Sequence, residues 1–197
     1  MMTYEFFKRR KLLSSMFVIS IISFLFGVLF ISILSNDNQE LIKTSVNSYF
    51  NNLNEGNINY LSVFYSSISN NLLLVIFVWI IGISIIGILF VIGILIFECF
   101  LTGFSLVSIL FTYGTKGIFV GIIYLIPEIV KLFVLFVLCY YSISFSCLLF
   151  NYLFRKKEIS RKVVVSRYLK VFIVVLCLVS LLSLIEVFLI PNILKIF

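Results

Sequence analysis

The chain has 197 residues, 62 % of them hydrophobic and 12 % charged, with a mean hydropathy of +1.24. Soluble domains carry about 25 % charged residues, so a water-soluble enzyme or binding module is excluded. The net charge of +7 could suggest nucleic acid. Its basic residues flank hydrophobic runs instead, where they set topology and meet anionic membrane lipids, so no nucleic-acid partner is expected.

The expected fold is all-α: a polytopic integral membrane bundle of about five transmembrane helices, with residues 1–197 forming one membrane domain. Residues 1–11 end in Lys8, Arg9, Arg10 and Lys11 and are expected in the cytoplasm. The first span, 12–34, is longer than a signal-peptide core and ends without a small-residue cleavage pattern, so it reads as uncleaved.

Residues 35–71 are polar and Asn-rich and read as an extracytoplasmic helical loop. Within it, Leu41, Ile42, Val46, Tyr49, Phe50 and Leu53 recur at the spacing of one helix face, and Asn54, Glu55 and Gly56 stop that helix. Two uses fit such a face: lying on the membrane surface, or docking a partner through Leu41, Val46, Tyr49, Phe50 and Leu53.

The second span is expected as one long tilted helix over 72–97, with Gly82 and Gly93 sharing a face, and the chain turning in the cytoplasm near Glu98. Residues 155–170 hold Arg155, Lys156, Lys157, Arg161, Lys162, Arg167 and Lys170 against only Glu158, the strongest cytoplasmic signal in the chain. Two crossings must therefore lie between Cys99 and Phe154. A turn at Gly114–Gly117 gives spans 99–113 and 118–154, the latter kinked and broken at Pro127; a re-entrant hairpin is the alternative. The last span, 171–190, ends at Pro191 with the C-terminus outside.

Catalysis finds little material here. There is no His in the chain and Asp37 is the single Asp, which removes the usual serine and aspartyl intramembrane protease sets. Gly82 and Gly87 have phosphate-loop spacing but Ile88 follows, so no Walker A site exists. Cys99, Cys139, Cys147 and Cys177 form no paired motif and read as buried apolar residues. No metal, cofactor or enzymatic activity is expected. The charges at bilayer depth reduce to Glu98, Glu128, Lys131 and Glu186. Lys131 lies three residues after Glu128, within ion-pair reach on a helix, and Gly114, Gly117, Gly121 and Glu128 project onto one face. Pro127, Glu128 and Lys131 are read with these glycines as a structural kink and polar anchor.

Trp79, Gly82 and Gly87, then Gly103-Phe104, Gly114 to Gly117, Leu125-Ile126-Pro127, Arg167-Tyr168 and finally Glu186 to Pro191 resemble, in order and spacing, the stage II sporulation protein M family. The likeness runs over nearly the whole chain. It departs after Pro127, where an uncharged polar residue is expected and Glu128 stands. The resemblance implies a multi-pass bacterial protein in the mother-cell septal membrane during forespore engulfment. It further implies a non-catalytic scaffold positioning peptidoglycan-degrading partners, the stage II sporulation proteins D and P. A permease-like subunit of a transport complex is the alternative, because a broken helix in a polytopic core is also transporter architecture.

Overall fold

The computed structural model describes the backbone of residues 2–54, 60–155 and 161–194, with side chains described within residues 10–48, 61–152 and 164–186. The described residues form α1 (Met2–Ile33), α2 (Asn36–Asn54), α3 (Tyr60–Gly82), α4 (Gly87–Tyr113), α5 (Thr115–Arg155) and α6 (Arg161–Leu194), with no strand among them. Five segments are long and apolar enough to cross a bilayer: Arg10–Ile33, Phe64–Gly82, Gly87–Tyr113, Gly117–Tyr152 and Val164–Glu186. Helices satisfy every internal backbone group where no water is available, which is why so apolar a chain takes this form. The expected helical membrane bundle is the one found.

α1 packs chiefly on α4 and α3 on α6, while α5 touches α3, α4 and α6. The core lies between them and includes Val75, Val78, Val91, Leu95, Leu138, Cys139 and Val179. Along the α1–α4 seam the backbones nearly touch. A Cβ added at Gly27 would collide with the Phe100 carbonyl oxygen, and one at Gly103 with that of Phe24. Phe30 closes the seam edge-on against Phe100, with ring centroids 5.3 Å apart. This is the small-residue helix approach of membrane proteins, where packing rather than water exclusion drives association.

The second span departs from expectation. The helix anticipated over 72–97 is interrupted, and α3 ends at Gly82 while α4 starts at Gly87. The turn is closed by short-range bonds, including Ser84 N–H to the Ile81 carbonyl at 2.9 Å and Gly87 N–H to the Ser84 carbonyl at 3.2 Å. Helix ends leave carbonyls without intrahelical partners, and neighbouring helices supply the donors. Ser146 Oγ on α5 lies 2.6 Å from the Gly82 oxygen and 2.9 Å from that of Ser84. On α6, the Tyr168 hydroxyl donates to the Trp79 carbonyl at 2.8 Å. With its proton committed there, Tyr168 accepts from Ser142 Oγ at 2.9 Å.

Three corrections follow from this break. Glu98 sits inside α4 rather than at a turn. Gly82 and Gly93 lie on different helices: Gly82 is packed against Ser142 and Tyr168, whereas nothing lies within 4 Å of a Cβ added at Gly93. The third crossing, instead of starting at Cys99, gains the residues from Gly87 onward and so spans the bilayer at full length.

The next turn falls at the glycines, as expected. Gly114 has φ +58°, a conformation that costs glycine little, and its N–H reaches the Leu110 carbonyl at 2.9 Å. Gly114 thus stands outside both helices, while Gly117 and Gly121 face α4 at Ile109 and Leu106. The break expected at Pro127 is absent, for α5 runs through it without interruption. A proline removes one ladder bond, and packed neighbours in a bundle tolerate that loss.

Candidate functional site

The sequence places four charges in three separate apolar stretches, and the fold collects them. Lys131 Nζ on α5 donates to Glu128 Oε1 at 2.8 Å, one turn back on its own helix. It also lies 2.9 Å from Glu186 Oε1 on α6, an ion pair without hydrogen-bond alignment. Ser67 on α3 donates to the other Glu186 oxygen at 3.4 Å, and Asn71 donates to Ser183 Oγ on α6 at 2.9 Å. Glu186 is 9 % exposed.

A cavity of about 30 Å³ opens beside this group, lined in part by Asn71, Glu98, Glu128 and Lys131 and closed by Leu74, Val75, Leu132, Leu135 and Val179. That is room for roughly two water molecules with polar partners on three helices. Three carboxylates therefore gather around one ammonium at membrane depth. From Gly82, where α3 ends, to Asn71 is roughly 16 Å of helix, and from Gly87 to Glu98 is roughly 16 Å as well. Both distances are about half a hydrocarbon core.

The Glu128–Lys131 pair was legible from its spacing, but its third member was not. Glu186 is 55 positions downstream of Lys131 (186 minus 131) and is brought in only because α5 packs on α6. Ser67, Asn71 and Ser183 escaped the sequence reading. Ser183, one turn before Glu186 in a mostly apolar stretch of α6, was the available signal. Among the described residues no group of His, Cys, Asp and Glu is placed to hold a metal ion.

The second candidate is α2. Gln39 Nε2 donates to the Ile31 and Leu34 carbonyls at 3.1 Å each, capping the end of α1 and setting the corner. Lys43 Nζ lies 4.7 Å from the centroid of the Phe111 ring near the end of α4. α2 is thereby held across the bundle end where α1 and α4 finish. Leu41 points away and is 63 % exposed, whereas Ile42 and Val46 are partly buried. The apolar stripe that read as one face is split, because Ile42 and Val46 turn inward while Leu41 does not. The side chains of Tyr49, Phe50 and Leu53 lie outside the described residues, as does the segment 156–160 within the basic stretch.

The family model for stage II sporulation protein M matches residues 16–191. The chain belongs to that family. The match takes in all five spanning segments but for the first residues of Arg10–Ile33, and the whole intramembrane cluster. This stage II sporulation protein M family member is accordingly a sporulation-related, multi-pass membrane protein. Comparison with curated proteins and with solved structures returned no match.

Proposed function

We propose that this protein is a non-catalytic scaffold that positions peptidoglycan-degrading proteins at the septal membrane while the mother cell engulfs the forespore. The observation that carries the reading is α2, a helix fastened across one end of the bundle with Leu41 turned outward. Wall hydrolases work outside the membrane, and a rigid helix on that side gives them a fixed address. Family membership supports the sporulation context, and the stage II sporulation proteins D and P are the proposed partners.

The reading requires the α2 end to face outward and the end bearing Arg10 and Arg155 to face the cytoplasm, with the C-terminus outside. In a variant lacking the native cysteines, a Cys at position 47 should react with an impermeant thiol reagent in intact cells, and one at position 160 should not. The reverse pattern overturns the topology.

Partner capture tests the scaffold itself. Leu41→Ser combined with Tyr49→Ser and Phe50→Ser leaves the spans untouched. It should lower recovery of the sporulation D and P proteins about tenfold at matched membrane abundance, the loss of roughly one anchor contact. Equal recovery removes α2 as the docking surface. One observation favours the permease-like alternative, namely the polar cavity beside Lys131. Flux into vesicles that appears only with an added partner ATPase would support that reading over the scaffold.

A further inference from the structure

A second cavity lies on the opposite side of Leu132 from the polar cluster. It has a volume of about 350 Å³ and sits between α1, α4 and α5. Both α1 and α5 pack on α4 but barely on each other, which leaves a slot between them. Its floor includes Leu95, and its walls include Phe17, Ile21 and Leu25 on one side and Ile129 and Phe133 on the other. The wall residues are exposed, so the slot opens sideways, towards hydrocarbon in a bilayer.

Water does not fill so apolar a space. A cavity of about 150 Å³ with similar walls stays dry and takes up benzene. A helix is too large: over the roughly 12 Å from Phe17 to Leu25, a cylinder about 10 Å across occupies about 1,000 Å³. One alkyl chain is the occupant whose cross-section fits.

Charge indicates which lipid carries that chain. Lys11 and Arg10 lie exposed on α1 below the slot. Lys11 is roughly 9 Å of helix from Phe17 and 21 Å from Leu25. Half of a hydrocarbon core is about 15 Å, so the slot begins within the leaflet at the basic end and reaches the midplane. A phospholipid of that leaflet can therefore set its phosphate beside the basic pair and its chain in the slot.

We propose that the slot between α1 and α5 seats one acyl chain of an anionic phospholipid whose headgroup is held by Lys11 and Arg10. The bound lipid fills the gap that α1 and α5 leave over α4 and completes the packing of α1.

Native mass spectrometry tests this on the full-length protein equilibrated with equal amounts of phosphatidylglycerol and phosphatidylcholine of identical chains. The parent protein should retain one phosphatidylglycerol at least about fivefold over phosphatidylcholine. Arg10→Gln with Lys11→Gln should bring the two lipids to parity, whereas Arg167→Gln with Lys170→Gln on α6 should leave the preference unchanged. Ser20 also lines the slot. Ser20→Phe should reduce phosphatidylglycerol retention by about fivefold although the basic pair is intact; Leu25→Phe should do the same without touching the α1–α4 seam. Parity in the parent protein, or retention that neither slot-filling variant lowers, overturns the proposal. So does a dimer free of lipid, which would mean that a second copy covers the slot.

Discussion

Lys131→Met should be the most damaging single substitution among the charged residues of the bundle. The lysine serves Glu128 on its own helix and Glu186 on α6, and its removal leaves Glu98 and Glu128, which line the cavity, and the neighbouring Glu186 without a cation. Breaking a buried pair from one side costs about 3–5 kcal/mol, because the remaining charge has lost its solvent and its partner. Measured by unfolding in mixed micelles, the loss should approach that range.

Glu128→Gln should be much milder than the spacing of Glu128 and Lys131 suggested, since Lys131 keeps Glu186. Lys131→Met combined with Glu128→Gln and Glu186→Gln removes the charges together and should recover much of the stability lost by Lys131→Met. A triple variant no more stable than the single one would show that the charges do not act as a unit.

The second large effect belongs to the α1–α4 seam. Gly103→Val should separate the two helices, because the added Cβ meets the Phe24 carbonyl, a backbone atom that cannot rotate away. Overpacking of this kind costs about 1–3 kcal/mol where side chains can yield, and here the upper end or more is expected. Gly93→Ala provides the contrast. Its Cβ enters open space, and replacing a helical glycine by alanine contributes up to about 1 kcal/mol of stability. Thermal unfolding in one detergent compares the two directly. Destabilisation of Gly93→Ala as large as that of Gly103→Val would mean that close backbone approach is not what distinguishes these two glycines.

The seam also illustrates what a single chain can and cannot reveal. Gly82 and Gly93 looked like a contact face because they were assigned to one helix, while the glycines that meet a partner backbone across the α1–α4 seam, Gly27 and Gly103, lie in segments distant in sequence. A glycine marks permission for close approach, and only the partner's position decides whether the permission is used. Pro127 makes the same point in reverse: its chemistry weakens a helix locally, but α5 is packed on three neighbours and runs on through it.

By itself the sequence determined the membrane class, the five crossings, the glycine turn at Gly114 and the pairing of Glu128 with Lys131. These depend on local chemistry: how many apolar residues stand in a row, which residue accepts positive φ, and which side chains fall one turn apart. Only the tertiary structure decided where the second span ends, because residues 83–86 are as apolar as their neighbours apart from Ser84, and the donors that stabilise the turn, Ser146 and Tyr168, come from two other helices. Only the fold made Glu186 the second partner of Lys131 and put Glu98 beside their cavity. Hydropathy is a property of one segment, whereas a buried charge is stable only beside a partner, and packing decides which residues become partners.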